Sequence, residues 1–319
     1  MIALEHFYRV CGALLFVVAA QALADRGDPK RRTSGAFWGL FGASFAFGKL
    51  LPPFAVGLMV LAMAGLAGAR LLGGGRVPTT SPEERAALAD RFGNRLWGPA
   101  LTIPAVALVC AVALSKLSLG GRPLLQPGKE TIVGLGLAAL AALAVASALL
   151  RPSPATPLRE GRRLLEAIGW AALLPQTLAT LGLVFQKAGV GKAVAAAVAG
   201  ALPGDSRFAA VAVYCVGMAA FTMIMGNAFA AFPVLGAGVA LPLLVARGAD
   251  PAVVAAIGMF SGYCGTLMTP MAANFNLVPA ALLELPDQHA VIKAQAPTAL
   301  LLLGVNVLLM SALAFRGAP

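Results

Sequence analysis

The chain has 319 residues, 59% of them apolar and only 12% charged, with a formal net charge of +11 and a mean hydropathy of +0.85. Soluble domains are about 45–50% apolar and about 25% charged, so this composition excludes a water-soluble fold of this size and equally excludes a disordered chain. What remains is an all-α polytopic membrane protein, for which spans of about 20 residues leave room for about seven to nine crossings.

In chain order, the first apolar run is Val10–Ala24. Ala22-Leu23-Ala24 resembles a small-residue cleavage site of a secretory signal. Arg26, Lys30, Arg31 and Arg32 follow at once, and export of that end would drag them across the membrane. An uncleaved first helix with its N-terminus outside is therefore expected. Runs at Ser34–Gly48 and Leu51–Leu72 come next, with Lys49 and Pro52-Pro53 marking a tight turn between two spans. Residues 74–96 are polar, and Ser81-Pro82-Glu83-Glu84 reads as a capping box that opens a short cytoplasmic helix. Two more spans follow, Trp97–Leu114 and Thr131–Leu150, joined through Gly120-Gly121 and Pro123. A Pro-rich loop from Arg151 to Arg163 leads to a sixth span, Leu165–Phe185.

Charge distribution supports this alternation. Loops 25–34, 70–96 and 151–163 carry thirteen basic residues, against five on the other side (Arg9, Lys49, Lys116, Arg122, Lys129). That is the bias of cytoplasmic loops in an inner-membrane protein. The basic residues lie between apolar runs and form no stripe, which argues against nucleic acid as a partner. Cys11, Cys110, Cys215 and Cys264 are far apart, and only His6 and His289 supply imidazole. Neither a disulfide framework nor a zinc site is indicated.

After Phe185 the character changes. Residues 187–205 are short and weakly apolar, end at Pro203-Gly204-Asp205, and suit an interfacial segment. Phe208 to Ala246 then runs 39 residues without Asp, Glu, Lys, Arg or His. It accommodates two full spans or a re-entrant hairpin (206–247) with Met225-Gly226-Asn227-Ala228 at its tip. Ala252–Leu283 is also free of these residues, and its middle, Ser261–Asn276, is rich in Gly, Thr, Pro and Asn. A discontinuous helix over 252–285 is expected there, followed by a last span at Ala294–Phe315. Together the pattern predicts about eight transmembrane helices plus one re-entrant hairpin and one discontinuous helix. Residues 1–96 form an N-terminal set of three helices with a cytoplasmic loop, and 97–319 a repeat-like transporter domain.

Non-helical backbone survives at membrane depth only where protein buries it or a cavity hydrates it. Secondary transporters use such breaks to aim helix ends at substrates and ions. The candidate site is therefore Gly226, Asn227 and Ala228 at the hairpin tip, with Gly265, Thr266, Thr269, Pro270, Asn274 and Asn276 at the second break. In this reading Gly262 and Gly265 permit unusual backbone angles, Pro270 cannot donate an N–H, and the hydroxyls and amides supply neutral donors and acceptors. Gln176, beside Pro175, is a polar outlier in the sixth span that either faces the same cavity or bonds to a neighbouring helix. Gln295, Pro297 and Thr298 are weaker candidates. Ordinary close packing of small residues is the competing explanation for the glycines. The lack of charge disfavours a proton relay and favours a small anion held by helix dipoles, with a coupled sodium ion and no resident cofactor or metal.

These residues resemble a known arrangement. The Asn-containing tip, the second arm with Phe232-Pro233, and the Gly265-Thr266 to Pro270 to Asn274 break recur in the order found in the ion-transporter superfamily that includes divalent-anion/sodium symporters. Asn227 matches that superfamily's tip Asn, whereas Gly226 and Ala228 depart from its Ser and Thr. The strings GNAFAAFPV and GYCGTLMTPMAANFNLVPAALLEL are similar to a bacterial family of 5-oxoproline transporter subunits, over nearly the whole chain and most strongly in 165–300. That resemblance implies transport of a small carboxylate and a companion polytopic subunit. A single hairpin-plus-break constellation is consistent with this, because one repeat cannot rock against an absent inverted partner. Another organic anion, a homodimeric or higher oligomeric carrier, and an accessory subunit without a substrate site remain as alternatives. An intramembrane enzyme is disfavoured, since no HExxH or GxSxG motif occurs.

Overall fold

The computed structural model describes residues 1–73, 80–119, 121–201 and 206–316. Gly120, Arg76 and Pro203-Gly204-Asp205, which figure in the expected loops, lie outside the described residues. The chain is all-α, with a single pair of two-residue strands, Ser118–Leu119 and Arg122–Pro123, among the described residues. Among the described residues, seven helical stretches are long and apolar enough to cross a membrane: Leu4–Ala24, Glu83–Lys116, Glu130–Leu150, Thr156–Lys187, Arg207–Met225, Ala228–Arg247 and Ala290–Leu313. The chain is a multi-pass membrane protein. It divides into two compact units, Met1–Glu166 and Ala167–Pro319. The sequence grouping placed 97–319 together, whereas packing divides the chain inside the helix Thr156–Ile168.

In the first unit, α1 (Leu4–Ala24) begins six residues before the apolar run expected from the sequence and carries Glu5 and Arg9 in its first two turns. It pairs with α2 (Arg31–Phe47) through small residues: a Cβ on Gly12 would come within 2.9 Å of the Ala46 nitrogen and the Gly42 carbonyl. Phe37, Trp38 and Phe41 are buried in this pair. As expected, Pro53 opens α3 (Pro53–Gly68) after a short turn. At 17 and 16 residues, α2 and α3 are shorter than the seven stretches above. The predicted capping box forms at α4 (Pro82–Phe92): Ser81 Oγ accepts from Glu84 N–H at 3.1 Å, and Glu84 Oε2 accepts from Ser81 N–H at 3.0 Å. Next come α5 (Trp97–Val112) and α6 (Glu130–Leu150), packed on each other with Gly134 against Cys110.

The loop expected at 151–163 is half helical, a correction to the sequence reading. α7 (Thr156–Ile168) starts with Pro157 in its first turn, where a missing N–H does no harm. Leu158, Leu164, Leu165 and Ile168 alternate with Arg159, Arg162 and Arg163 at helical spacing, which makes it strongly amphipathic. The sequence reading gave weight to the prolines and basic residues and missed this periodicity. Arg162 is buried and reaches the end of α1, donating to Asp25 Oδ2 at 2.9 Å, the Gln21 carbonyl at 3.1 Å and Glu166 Oε1 at 2.7 Å. The hydrogen bond from Arg162 holds the Asp25 carboxyl below its usual range.

In the second unit, a turn of 3-10 helix (Gly169–Leu173) leads into α8 (Leu174–Lys187), and α9 (Val190–Ala201) follows. The hairpin is α10 (Arg207–Met225) and α11 (Ala228–Leu235). Pro233 in α11 cannot donate to the Phe229 carbonyl, and the helix widens into a π turn at Gly236–Ala240 before α12 (Leu241–Leu243). α9 meets this region backbone to backbone, Gly191 against the Val234 carbonyl and Gly238 against Gly191. The remaining elements are α13 (Pro251–Leu267), α14 (Leu277–Leu282) and α15 (Ala290–Leu313). The core joins α10, α11, α13 and α15 through Tyr214, Met218, Leu235, Ile257 and Met310.

Candidate functional site

Two interruptions of helix, far apart in sequence, meet in the second unit. The first is built by Gly226. α10 ends at Met225, and Gly226 turns left-handed (φ 68°, ψ 0°), its N–H donating to the Thr222 carbonyl at 2.7 Å. A side chain there would be strained by the backbone angle and would meet the Met271 carbonyl oxygen and Leu178 Cδ1 at 2.6 Å. Asn227 is extended (φ −151°, ψ 122°) and caps α11, its Oδ1 accepting from Phe229 N–H at 2.8 Å. That cap occupies the side-chain oxygen. What Asn227, an exposed residue, retains for a ligand is the pair of donors on Nδ2. Ala228 is buried.

The second interruption is the stretch from Met268 to Asn276, between α13 and α14. Asn276 is fully buried and closes it: Nδ2 donates to the Thr266 carbonyl at 2.8 Å and to the Thr269 carbonyl at 2.6 Å. The Thr266 carbonyl lies in the last turn of α13, where the residue four positions on is Pro270 and has no N–H to offer, and the Thr269 carbonyl lies just beyond the helix end. Thr266 Oγ1 donates back to the Tyr263 carbonyl at 2.6 Å. Pro270 is exposed at the bend, consistent with a residue that continues no helix. Asn274 is exposed.

Thr269 joins the two. Its hydroxyl donates to the Met223 carbonyl at 2.8 Å, and Met271 N–H donates to the same Oγ1 at 3.2 Å. The tip at Gly226 and the bend at Thr269–Met271 therefore share one contact surface. The dipole of α13 brings partial negative charge to the break through its terminal carbonyls. Asn276 Oδ1 is buried there without a hydrogen-bond partner, as are Thr222 Oγ1 and Tyr214 Oη on α10. Among the described residues no group of three His, Cys, Asp or Glu side chains comes together. Cation ligands at the break would thus be carbonyl, amide and hydroxyl oxygens, and anion ligands would be the amide donors of Asn227 and Asn274.

Two sequence expectations are corrected. Gly262 and Gly265 lie in regular helix, and neither has a positive φ. With Gly258 they form a stripe at spacings of four and three residues that receives α10: Gly258 faces Tyr214, Gly262 faces Met218 and Thr222, and Gly265 faces the Ala219 backbone. Their role is close approach, and the helix breaks only after Leu267. Gln176 is also displaced from the site. Leu178 and Gly182, one turn apart on α8, meet the hairpin at Gly226 and Ala230. Gln176 lies two residues from Leu178, about 200° around a helix, and so on the other side.

The sequence reading missed Thr222 and Asn306. Thr222 is fully buried one turn below the tip. Asn306 on α15 is buried and its Nδ2 faces Cys264 Sγ at 3.7 Å, close to the break. A single Asn in the otherwise apolar run 299–310 was the available signal. All four cysteines are free thiols.

Residues 5–315 match the family described as Protein of unknown function (DUF979). No curated protein and no solved structure matches the chain.

Proposed function

The chain belongs to the DUF979 family, and from that premise we propose that it is one subunit of a secondary transporter that moves a small carboxylate, 5-oxoproline as first choice, across the bacterial cytoplasmic membrane. The observation that carries this reading is the Thr269–Met223 hydrogen bond, 2.8 Å long, which joins two helix interruptions into one polar locus between two apolar stretches, 208–246 and 252–283, that hold no Asp, Glu, Lys, Arg or His. Broken helices in contact are the device by which secondary transporters present uncharged dipoles to solutes at membrane depth.

In this mechanism the hairpin is re-entrant and its tip lies within the bilayer. The substrate carboxylate accepts hydrogen bonds from Asn227 Nδ2 and Asn274 Nδ2. A coupled sodium ion is held on the buried side by Asn276 Oδ1 and neighbouring oxygens, where the C-terminal dipole of α13 favours a cation. With one such constellation in the chain, the inverted half comes from a companion polytopic subunit. The excess of basic residues in alternate loops supports an N-terminus on the outside.

The test is uptake of labelled 5-oxoproline by cells expressing the chain with its genomic neighbour. Asn227→Ala and Asn274→Ala are expected to abolish uptake at unchanged membrane abundance. Normal uptake by both variants removes the proposed site. Uptake that requires the neighbour but not these residues identifies the chain as an accessory subunit, and uptake of a different organic anion alone reassigns the substrate.

A further inference from the structure

The first unit carries a second polar feature that the transport reading does not use. A groove of about 660 Å³ lies between the start of α1 and the end of α2. Its charged end is formed by Glu5, Arg9 and Lys49, and its walls are apolar, among them Ala13, Phe16 and Phe47. Lys49 pairs with Glu5. Arg9 has no hydrogen-bond or ion-pair partner among the described residues.

From this geometry we propose that the groove binds one anionic phospholipid, with its phosphate on Arg9 and Lys49 and one acyl chain along Phe16 and Phe47. Two cations and one carboxylate leave the groove with a net charge of +1, which a single phosphodiester neutralises. A guanidinium beside apolar walls on a membrane helix calls for an anion, and its planar fork suits two phosphate oxygens. Glu5, Arg9, Ala13 and Phe16 follow one another along one face of α1. Phe16 is seven residues beyond Arg9, about 10 Å deeper along the helix axis. Phe16 and Phe47 are 38% and 47% exposed, with ring centroids 6.3 Å apart, and so offer an apolar surface directly below the charges. A free phosphate would use the charged end and leave these rings uncovered. A choline lipid carries no net charge and would leave the groove's charge of +1 unneutralised.

The experiment is native mass spectrometry of the detergent-purified protein titrated with dioleoyl phosphatidylglycerol and, separately, dioleoyl phosphatidylcholine. One phosphatidylglycerol per chain is expected, with a preference of about tenfold over phosphatidylcholine, the scale of one charge-assisted contact. Arg9→Gln breaks no internal hydrogen bond and is expected to bring that ratio close to one, while Arg9→Lys keeps part of it. Glu5→Gln frees Lys49 and is expected to raise the ratio, a gain that misfolding cannot mimic. Equal binding of both lipids by the parent protein overturns the proposal, and so does an unchanged ratio in Arg9→Gln. Displacement of the lipid by an equal concentration of glycerol 3-phosphate overturns it as well, since the apolar walls would then contribute nothing.

Discussion

Thr269 donates its hydroxyl hydrogen to the carbonyl of Met223, 46 residues earlier in the chain. One bond thus ties the end of α10 to the bend after α13. Thr269→Val keeps the shape and removes both the donor to Met223 and the acceptor for Met271 N–H. It is expected to cost about 1–3 kcal/mol, the scale of a lost hydrogen bond that leaves its partner unpaired. Transport is expected to fall much further than stability, with Thr269→Ser restoring both. Thermal unfolding in detergent beside uptake in cells checks this, and an equal effect of Val and Ser would sink it.

Asn276 is the residue on which the bend depends. Asn276→Ala leaves the carbonyls of Thr266 and Thr269 buried without donors, at about 1–3 kcal/mol each. Asn276→Asp is expected to be worse, because an acceptor-only carboxylate would face two carbonyl oxygens. Denaturation midpoints that rank parent above Ala above Asp would agree with this.

At Gly226 the backbone leaves no room for choice. Gly226→Ala combines a left-handed L-residue, at about 1–2 kcal/mol, with a contact to the Met271 carbonyl at 2.6 Å. Loss of at least that much stability is expected, and an unchanged melting temperature would contradict the turn geometry.

The glycine stripe predicts a contrast within one unit. Gly265→Ala drives a methyl group into the Ala219 backbone and is expected to destabilise by about 1–3 kcal/mol. A methyl group at Gly304 on α15 meets nothing within 4 Å, so Gly304→Ala is expected to be neutral or slightly stabilising. The two melting temperatures should move in opposite directions or differ by several degrees.

Acid sensitivity should appear at Asp25. Its folded-state carboxyl titrates below the usual range because Arg162 donates to it. The stabilisation is therefore present above the unfolded value, about 3.9, and disappears as pH falls through the lower folded value. Asp25→Asn should lower the melting temperature at neutral pH, and its difference from the parent should shrink below about pH 4. A difference that stays constant across this range would rule out the ion pair as its source.

Much of the fold is legible in residue order because its causes are local. Ser81 and Glu84 announce the start of α4, Pro53 that of α3, and Gly226-Asn227 the end of one helix and the cap of the next. The helix of 156–168 was legible as well, but only to a reading that set periodicity above its prolines and arginines. The site was legible in part. Its residue types stood out against apolar runs, yet similar residues there have different fates. Asn276 is buried and bonded to two carbonyls, whereas Asn274, two residues away, is exposed. Gly226 serves a left-handed turn, while Gly265 serves helix contact.

Taken alone, the sequence determined the solvent of this chain and the ends of many of its helices. Apolar length, Pro, Gly and capping residues act on the backbone within a few positions. Tertiary structure alone decided that Thr269 would find Met223, that Thr222 would be sealed against Gly262, and that Gln176 would lie on the far side of its helix. Those outcomes depend on which helix faces meet across forty or more residues, and that is set by packing between elements and not by any residue's own propensity.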